Sequence, residues 1–261
     1  VVAATNHRDR TMSWATDGRV GPSHEERRGS LAFTRSSAWR VACSFAANTE
    51  VHLSKPLVEL IGTFFLVTTV AFAAVAGNGA TLAPLAIATV LAVMVYAGAH
   101  VSGANYNPAV SLGLVVRKVL SPSDLVPYVV SQIIGGVAAA GLFRALHPEP
   151  VHSLAVDLVP ALIAEALFTF ALVYTVLHVA TAPANKGNSY FGVAIGGAVL
   201  AGACAVGAIS GGAFNPAVAI GLGVMGVLEW PTVGAYVVVE LIAGASAAMV
   251  YLAATRETAA A

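Results

Sequence analysis

The sequence predicts an all-α membrane protein in which six transmembrane helices and two re-entrant half-helices form an inverted internal repeat. Three observations predict it. Of 261 residues, 57% are hydrophobic and only 10% charged, with a mean hydropathy of +0.80, whereas soluble domains carry about 25% charged residues. The apolar residues gather into six stretches near the ~20 residues that cross a bilayer core. The core Asn107-Pro108-Ala109 also returns 108 residues later as Asn215-Pro216-Ala217.

Taken in order, residues 1–50 hold Arg8, Arg10, Arg19, Arg27, Arg28, Arg35 and Arg40 among Ser and Thr, and no apolar run of signal-peptide length. A disordered polar tail is expected there, with residues 51–261 as the membrane domain. An over-extended gene start would also account for the tail, since Val1 and Val51 can each be read from a GTG codon. Spans are expected over about 56–76, 83–99, 127–146, 157–179, 190–209 and 231–254. The gaps AGNGATLAP, SPSDLVP, HPEPVH, TAPANKGNS and LEWP carry turn chemistry. Cys43 in the tail and Cys204 in a span lack metal or redox spacing, and Cys204 is expected as a small core residue.

The duplication extends beyond the Asn-Pro-Ala cores. VVSQIIGGVAAA from Val129 matches VVVELIAGASAA from Val237 at the same offset, aligning Gln132 with Glu240 and Gly136 with Gly244. ELIGTF at Glu59 matches EALFTF at Glu165 at an offset of 106. The chain is therefore read as two units, about 56–146 and about 157–254. Each unit crosses the membrane three times, so the second must be inserted upside down. Lys55, Arg117, Lys118, Lys186 and Arg256 then share a face with both termini, and only Arg144 lies opposite, which predicts cytoplasmic termini.

Each core reads as a helix start, with asparagine as N-cap and proline in the first turn. The apolar runs VSLGLVV and VAIGLGV that follow are too short to span. Irregular backbone at membrane depth is tolerated only where it is buried in protein or lines a cavity. Two inverted half-helices would aim their N-termini at each other near the midplane, each bearing roughly half a positive charge. Such a place repels cations, while the amides of Asn107 and Asn215 can donate to a neutral molecule.

These motifs, the paired ELIGTF and EALFTF helices and the six-span duplication resemble the aquaporin and aquaglyceroporin family of major intrinsic proteins, here as a bacterial-type member, over Pro56 to about Ala254. The resemblance implies a right-handed six-helix bundle with one pore per subunit, a homotetramer in the cell membrane, and both termini cytoplasmic. It implies that Asn107, Pro108, Ala109, Asn215, Pro216 and Ala217 form the pore motifs, and that Glu59, Glu165 and His100 brace the pore loops. His178, His147 and His152 are expected to meet water at span ends, and Gly192 and Gly196 to permit close helix contact.

The family's selectivity filter carries over to Ile87, Ala203, Gly212 and Val218, and valine here takes the place of the usual arginine. Arginine supplies bulk, charge and up to five donors. Its replacement implies a wide passive channel for glycerol, urea and neutral metalloid hydroxides such as arsenous acid, together with water. A water-selective pore is the alternative. A secondary transporter is disfavoured because the motifs present amides rather than ionisable coupling residues, and a non-conducting structural protein because the extracellular loops are short. No nucleophile with a base, paired ligands or phosphate loop points to an enzyme, a metal or a cofactor. The net charge of zero gives no reason to expect a nucleic-acid partner.

Overall fold

The computed structural model describes residues 54–255. The expected tail, Val51, Cys43 and Arg256 lie outside the described residues. Six helices are long and apolar enough to cross a membrane: α1 (Ser54–Val75), α2 with its lead-in turn (Ala80–Ser102), α4 (Pro122–Leu146), α5 with its last turn (Leu158–Thr181), α6 (Phe191–Ser210) and α8 (Trp230–Thr255). The half-helices α3 (Pro108–Val116) and α7 (Pro216–Met225) complete the order. No strand occurs among the described residues.

The main boundary difference is at α4, which begins at Pro122 rather than near 127. Ser121 is its N-cap, its hydroxyl accepting from the Ser123 N–H, and Pro122 takes the first turn. A stretch rich in turn residues is thus a helix start, with Pro127 carried inside the helix. The ends of α1 and α5 widen into π turns, Val70–Val75 and Leu177–Thr181. Both turns contribute to the wall of the central cavity.

Small residues set how closely these helices meet. A Cβ on Gly196 would collide with the Ala88 carbonyl of α2, and one on Gly192 with the Tyr96 ring at 2.8 Å. Gly136 of α4 leaves room for the Ala217 carbonyl of α7, and Gly244 of α8 for the Ala109 carbonyl of α3. The final helix of each repeat therefore clasps the half-helix of the other, which locks the two halves around one centre. In lipid, where apolar burial gives little driving force, such backbone approach supplies the packing energy. Large apolar side chains such as Phe65, Val130, Leu167 and Val238 face outward, as a hydrocarbon solvent allows. Cys204 is exposed and is not a core residue: it lies off the buried α6 stripe of Gly192, Ile195, Gly196, Val199 and Gly202.

A candidate pore between two half-helices

The Asn-Pro-Ala cores begin the half-helices. Asn107 (φ −154°) and Asn215 (φ −161°) are extended N-caps, their Oδ1 atoms accepting from the N–H groups of Ala109 at 2.8 Å and Ala217 at 2.9 Å. The amide nitrogens reach across the repeat: Asn107 Nδ2 donates to the Phe214 carbonyl and Asn215 Nδ2 to the Tyr106 carbonyl, both at 2.9 Å. Each Nδ2 carries two hydrogens, so one of each pair is left for the lumen. The reciprocal bonds fix the two N-termini face to face.

The loops leading into the caps are strained. Gly103 and Gly211 turn the chain through left-handed conformations of 86° and 85°, and Tyr106 (φ 53°) and Phe214 (φ 50°) follow in the same region. Bulky residues there cost about 1–3 kcal/mol each. Buried carboxyl groups hold them in place. Glu59 of α1 accepts from the N–H groups of Asn105 (3.0 Å) and Tyr106 (2.7 Å), from Ser102 Oγ (2.7 Å) and from Gln132 Nε2 (2.8 Å). Glu165 of α5 accepts from the N–H groups of Ala213 (3.0 Å) and Phe214 (2.6 Å), while Glu240 of α8 accepts from the Asn215 N–H at 3.1 Å. All three carboxyl side chains are fully buried.

Several of these partners escaped the sequence reading. Ser102 and Ser210 stand 108 residues apart, and their carbonyls accept from the hydroxyls of Tyr128 (2.7 Å) and Tyr236 (2.8 Å), which share that spacing. The signal was present in the repeat alignment, in the flanking SG and YVV residues. His100, by contrast, is exposed, and its side chain makes no hydrogen bond among the described residues. Two residues on, Ser102 faces inward and reaches Glu59, so the bracing expected of His100 falls to Ser102. His178 does not simply meet water either: it is half-buried against Tyr174 and Tyr251, with ring centroids at 4.4 and 4.8 Å. His147 is half-buried and stacks on Phe143 at 5.0 Å, whereas His152 is exposed.

The half-helices' negative ends are also matched. Arg117 caps α3 and lies 4.7 Å over the Tyr251 ring. At the opposite face Arg144 Nη1 donates to the Met225 carbonyl at the end of α7 (3.3 Å). Cations at helix C-termini complement the dipole whose positive ends meet at the centre.

One cavity of about 940 Å³ runs along this arrangement. Both cap asparagines line it, as do loop residues 103–106 and 211–214, and its remaining wall is largely aliphatic, with Leu91, Val95, Val176 and Val199 among its residues. Ile87, Ala203, Gly212 and Val218 all border it. Gly212 (φ 67°) lies beside α6, where a Cβ would make an ordinary contact of 3.7 Å with the Ala203 Cα. Among the lining residues only Lys186, exposed in the loop before α6, carries a charged side chain. No cluster able to hold a metal ion occurs among the described residues.

The family model described as Major intrinsic protein matches residues 52–251. Aquaporin TIP4-1 of Zea mays is 34% identical over 212 residues, 75% of this chain and 83% of that protein. Aquaporin NIP1-1 of Zea mays is 30% identical over 220 residues, 80% and 77% of the two chains. The X-ray structure of the aquaglyceroporin from Plasmodium falciparum aligns with a TM-score of 0.65 at 19% identity, over 80% of this chain and 97% of that one, a likeness of fold.

Proposed function

Because this chain belongs to the major intrinsic protein family, we propose that it conducts glycerol, urea and neutral metalloid hydroxides, with water, through a filter formed by Ile87, Ala203, Gly212 and Val218. It is an aquaporin-family channel and a multi-pass membrane protein, not an enzyme. One observation carries the proposal on solutes: all four filter positions border the cavity that holds both cap asparagines, and none presents a charge or a hydrogen-bonding side chain. Valine at 218 leaves the room and the apolar wall that a polyol or urea needs, where arginine would bring bulk and a fixed charge.

Exclusion of cations rests on the paired N-termini of α3 and α7. Their positive ends and the free amide hydrogens of Asn107 and Asn215 favour a molecule with lone pairs and disfavour a proton or sodium ion. Glu59 and Glu165 serve the pore as braces for the strained loops. Lys55, Arg117, Lys118 and Lys186 against Arg144 support cytoplasmic termini in the cell membrane. The outward apolar faces are consistent with a homotetramer in the bilayer.

Flux in proteoliposomes tests the filter. Wild type is expected to take up glycerol and urea, and Val218→Arg to lower glycerol permeability by about tenfold or more, a barrier of ~1.4 kcal/mol, with a smaller effect on water. Unchanged glycerol flux in the variant would overturn the filter assignment. Wild-type vesicles that swell in hypotonic buffer yet exclude glycerol and urea would establish the water-selective alternative.

A further inference from the structure

We propose that Glu240 is a positioning residue that carries a hydrogen on its carboxyl group and donates it to Glu165, so that one hydrogen shared by two acids holds the second pore loop. Repeat symmetry gives the first reason. Gln132 is the counterpart of Glu240, and in the first repeat its Nε2 donates to Glu59 Oε2 at 2.8 Å. The bracing acid there receives a hydrogen from the last helix of its own repeat. A carboxyl group can repeat that act only when it bears a hydrogen itself.

The count of donors gives the second. Glu59 receives four hydrogens, from Ser102, Asn105, Tyr106 and Gln132, filling the acceptor sites of an ionised carboxylate. In the second repeat three consecutive backbone N–H groups, those of Ala213, Phe214 and Asn215, are divided between two acids. Glu240 Oε1 takes the Asn215 N–H, whereas Oε2 is buried and receives nothing. Glu165 takes the Phe214 N–H and Glu240 the next one, that of Asn215, so the two acids, on the packed helices α5 and α8, meet at adjacent residues of one loop. Two bare carboxylates so placed repel, and a single hydrogen between them would join them. It also supplies the unpartnered Oε2 with a role.

Through this link Glu240 acts on the pore without lining it. It fixes the N–H of Asn215, whose side chain caps α7 and crosses to the Tyr106 carbonyl. Glutamine can reproduce both halves of the arrangement, with Oε1 for Asn215 and an N–H for Glu165; beside Glu59, Gln132 already supplies the N–H. Leucine can reproduce neither.

Infrared spectroscopy and osmotic water flux on the full chain in proteoliposomes test the assignment. Water flux is used because it reads the loop whichever solutes the filter admits. At neutral pH wild type should show a carboxylic-acid carbonyl band that vanishes in Glu240→Gln, with flux retained within about twofold in that variant and reduced at least about tenfold in Glu240→Leu. Absence of the band in wild type, its persistence in Glu240→Gln, or loss of flux in a folded Glu240→Gln protein would each overturn the proposal. The wild-type spectrum alone decides the central point if a variant fails to fold.

Discussion

The two pore loops reach nearly the same backbone geometry by different chemistry. In the first, one carboxylate is surrounded by hydroxyl and amide groups: Ser102, Gln132 and, beyond them, Ser111, which accepts from Asn105 Nδ2 at 3.1 Å and Gln132 Nε2 at 3.0 Å. In the second, Ser111 is replaced by Ala219 and Asn105 by Ala213, and the load falls on two acids. The aromatic residue at the strained position differs as well. Tyr106 is anchored through its hydroxyl to the Met94 carbonyl (2.9 Å), while Phe214 packs on the Phe168 ring at 5.6 Å. An inverted duplication needs matched loop conformations, but each copy is free to satisfy its buried donors in its own way.

Removing the braces should break the comparison most strongly. Glu59→Ala strips partners from two backbone N–H groups and two side chains at once. With each orphaned buried donor costing about 1–3 kcal/mol, a loss of about 4 kcal/mol or more is expected, with flux abolished. Glu165→Ala strips the N–H groups of Ala213 and Phe214 and the hydrogen offered by Glu240, one donor fewer than Glu59 loses, so its loss should be about 1–2 kcal/mol smaller. Thermal unfolding in detergent measures both variants. Equal losses would show that the first loop does not depend on its single acid more than the second depends on either of its two.

Next in size is the seat of the aromatic ring. A Cβ on Gly98 of α2 would strike the Tyr106 hydroxyl and stand 2.7 Å from Val58, and one on Gly62 would strike the same ring. Tyr106 cannot retreat, because its N–H is held by Glu59 and its hydroxyl by Met94. Gly98→Ala should therefore cost about 1–3 kcal/mol and lower flux. Gly202→Ala, which meets Phe168 and Phe214 at 2.7 Å, should cost less, since neither ring is tied by a hydroxyl. Adding Tyr106→Phe to Gly98→Ala removes the clashing atom and should recover part of the stability. A double mutant no better than Gly98→Ala would place the strain elsewhere.

Much of this arrangement was legible because duplication makes a sequence its own control. The Asn-Pro cores marked both half-helices, the matched Glu59 and Glu165 marked buried acids, and Gly136 with Gly244 marked the two places where a final helix touches a foreign half-helix. What escaped depended on direction rather than residue type. His100 and Ser102 are two positions apart, about 200° around a helix, so one faces out and the other reaches Glu59; spacing from the motif could not separate them. Ser121-Pro122 read as a loop because the same residues serve turns and helix starts. Glu240 was visible in the alignment with Gln132, but its link to Glu165 required knowing that α5 and α8 pack together.

The smallest expected effect concerns the hydroxyl that only the first loop has. Ser111→Ala removes the acceptor shared by Asn105 Nδ2 and Gln132 Nε2, yet Gln132 keeps its bond to Glu59 and all four donors of that acid remain in place. The cost should be about 1 kcal/mol, with flux nearly unchanged. Ala219→Ser offers the second loop a hydroxyl that no amide there is waiting to use, and a Ser hydroxyl in a helix can bond back to the carbonyl four residues earlier, here Asn215. Its effect should stay under about 0.5 kcal/mol. If Ser111→Ala instead destabilised as much as Glu59→Ala, the hydroxyl rather than the acid would organise the first loop, and the two loops would differ in their central group as well as in its surroundings.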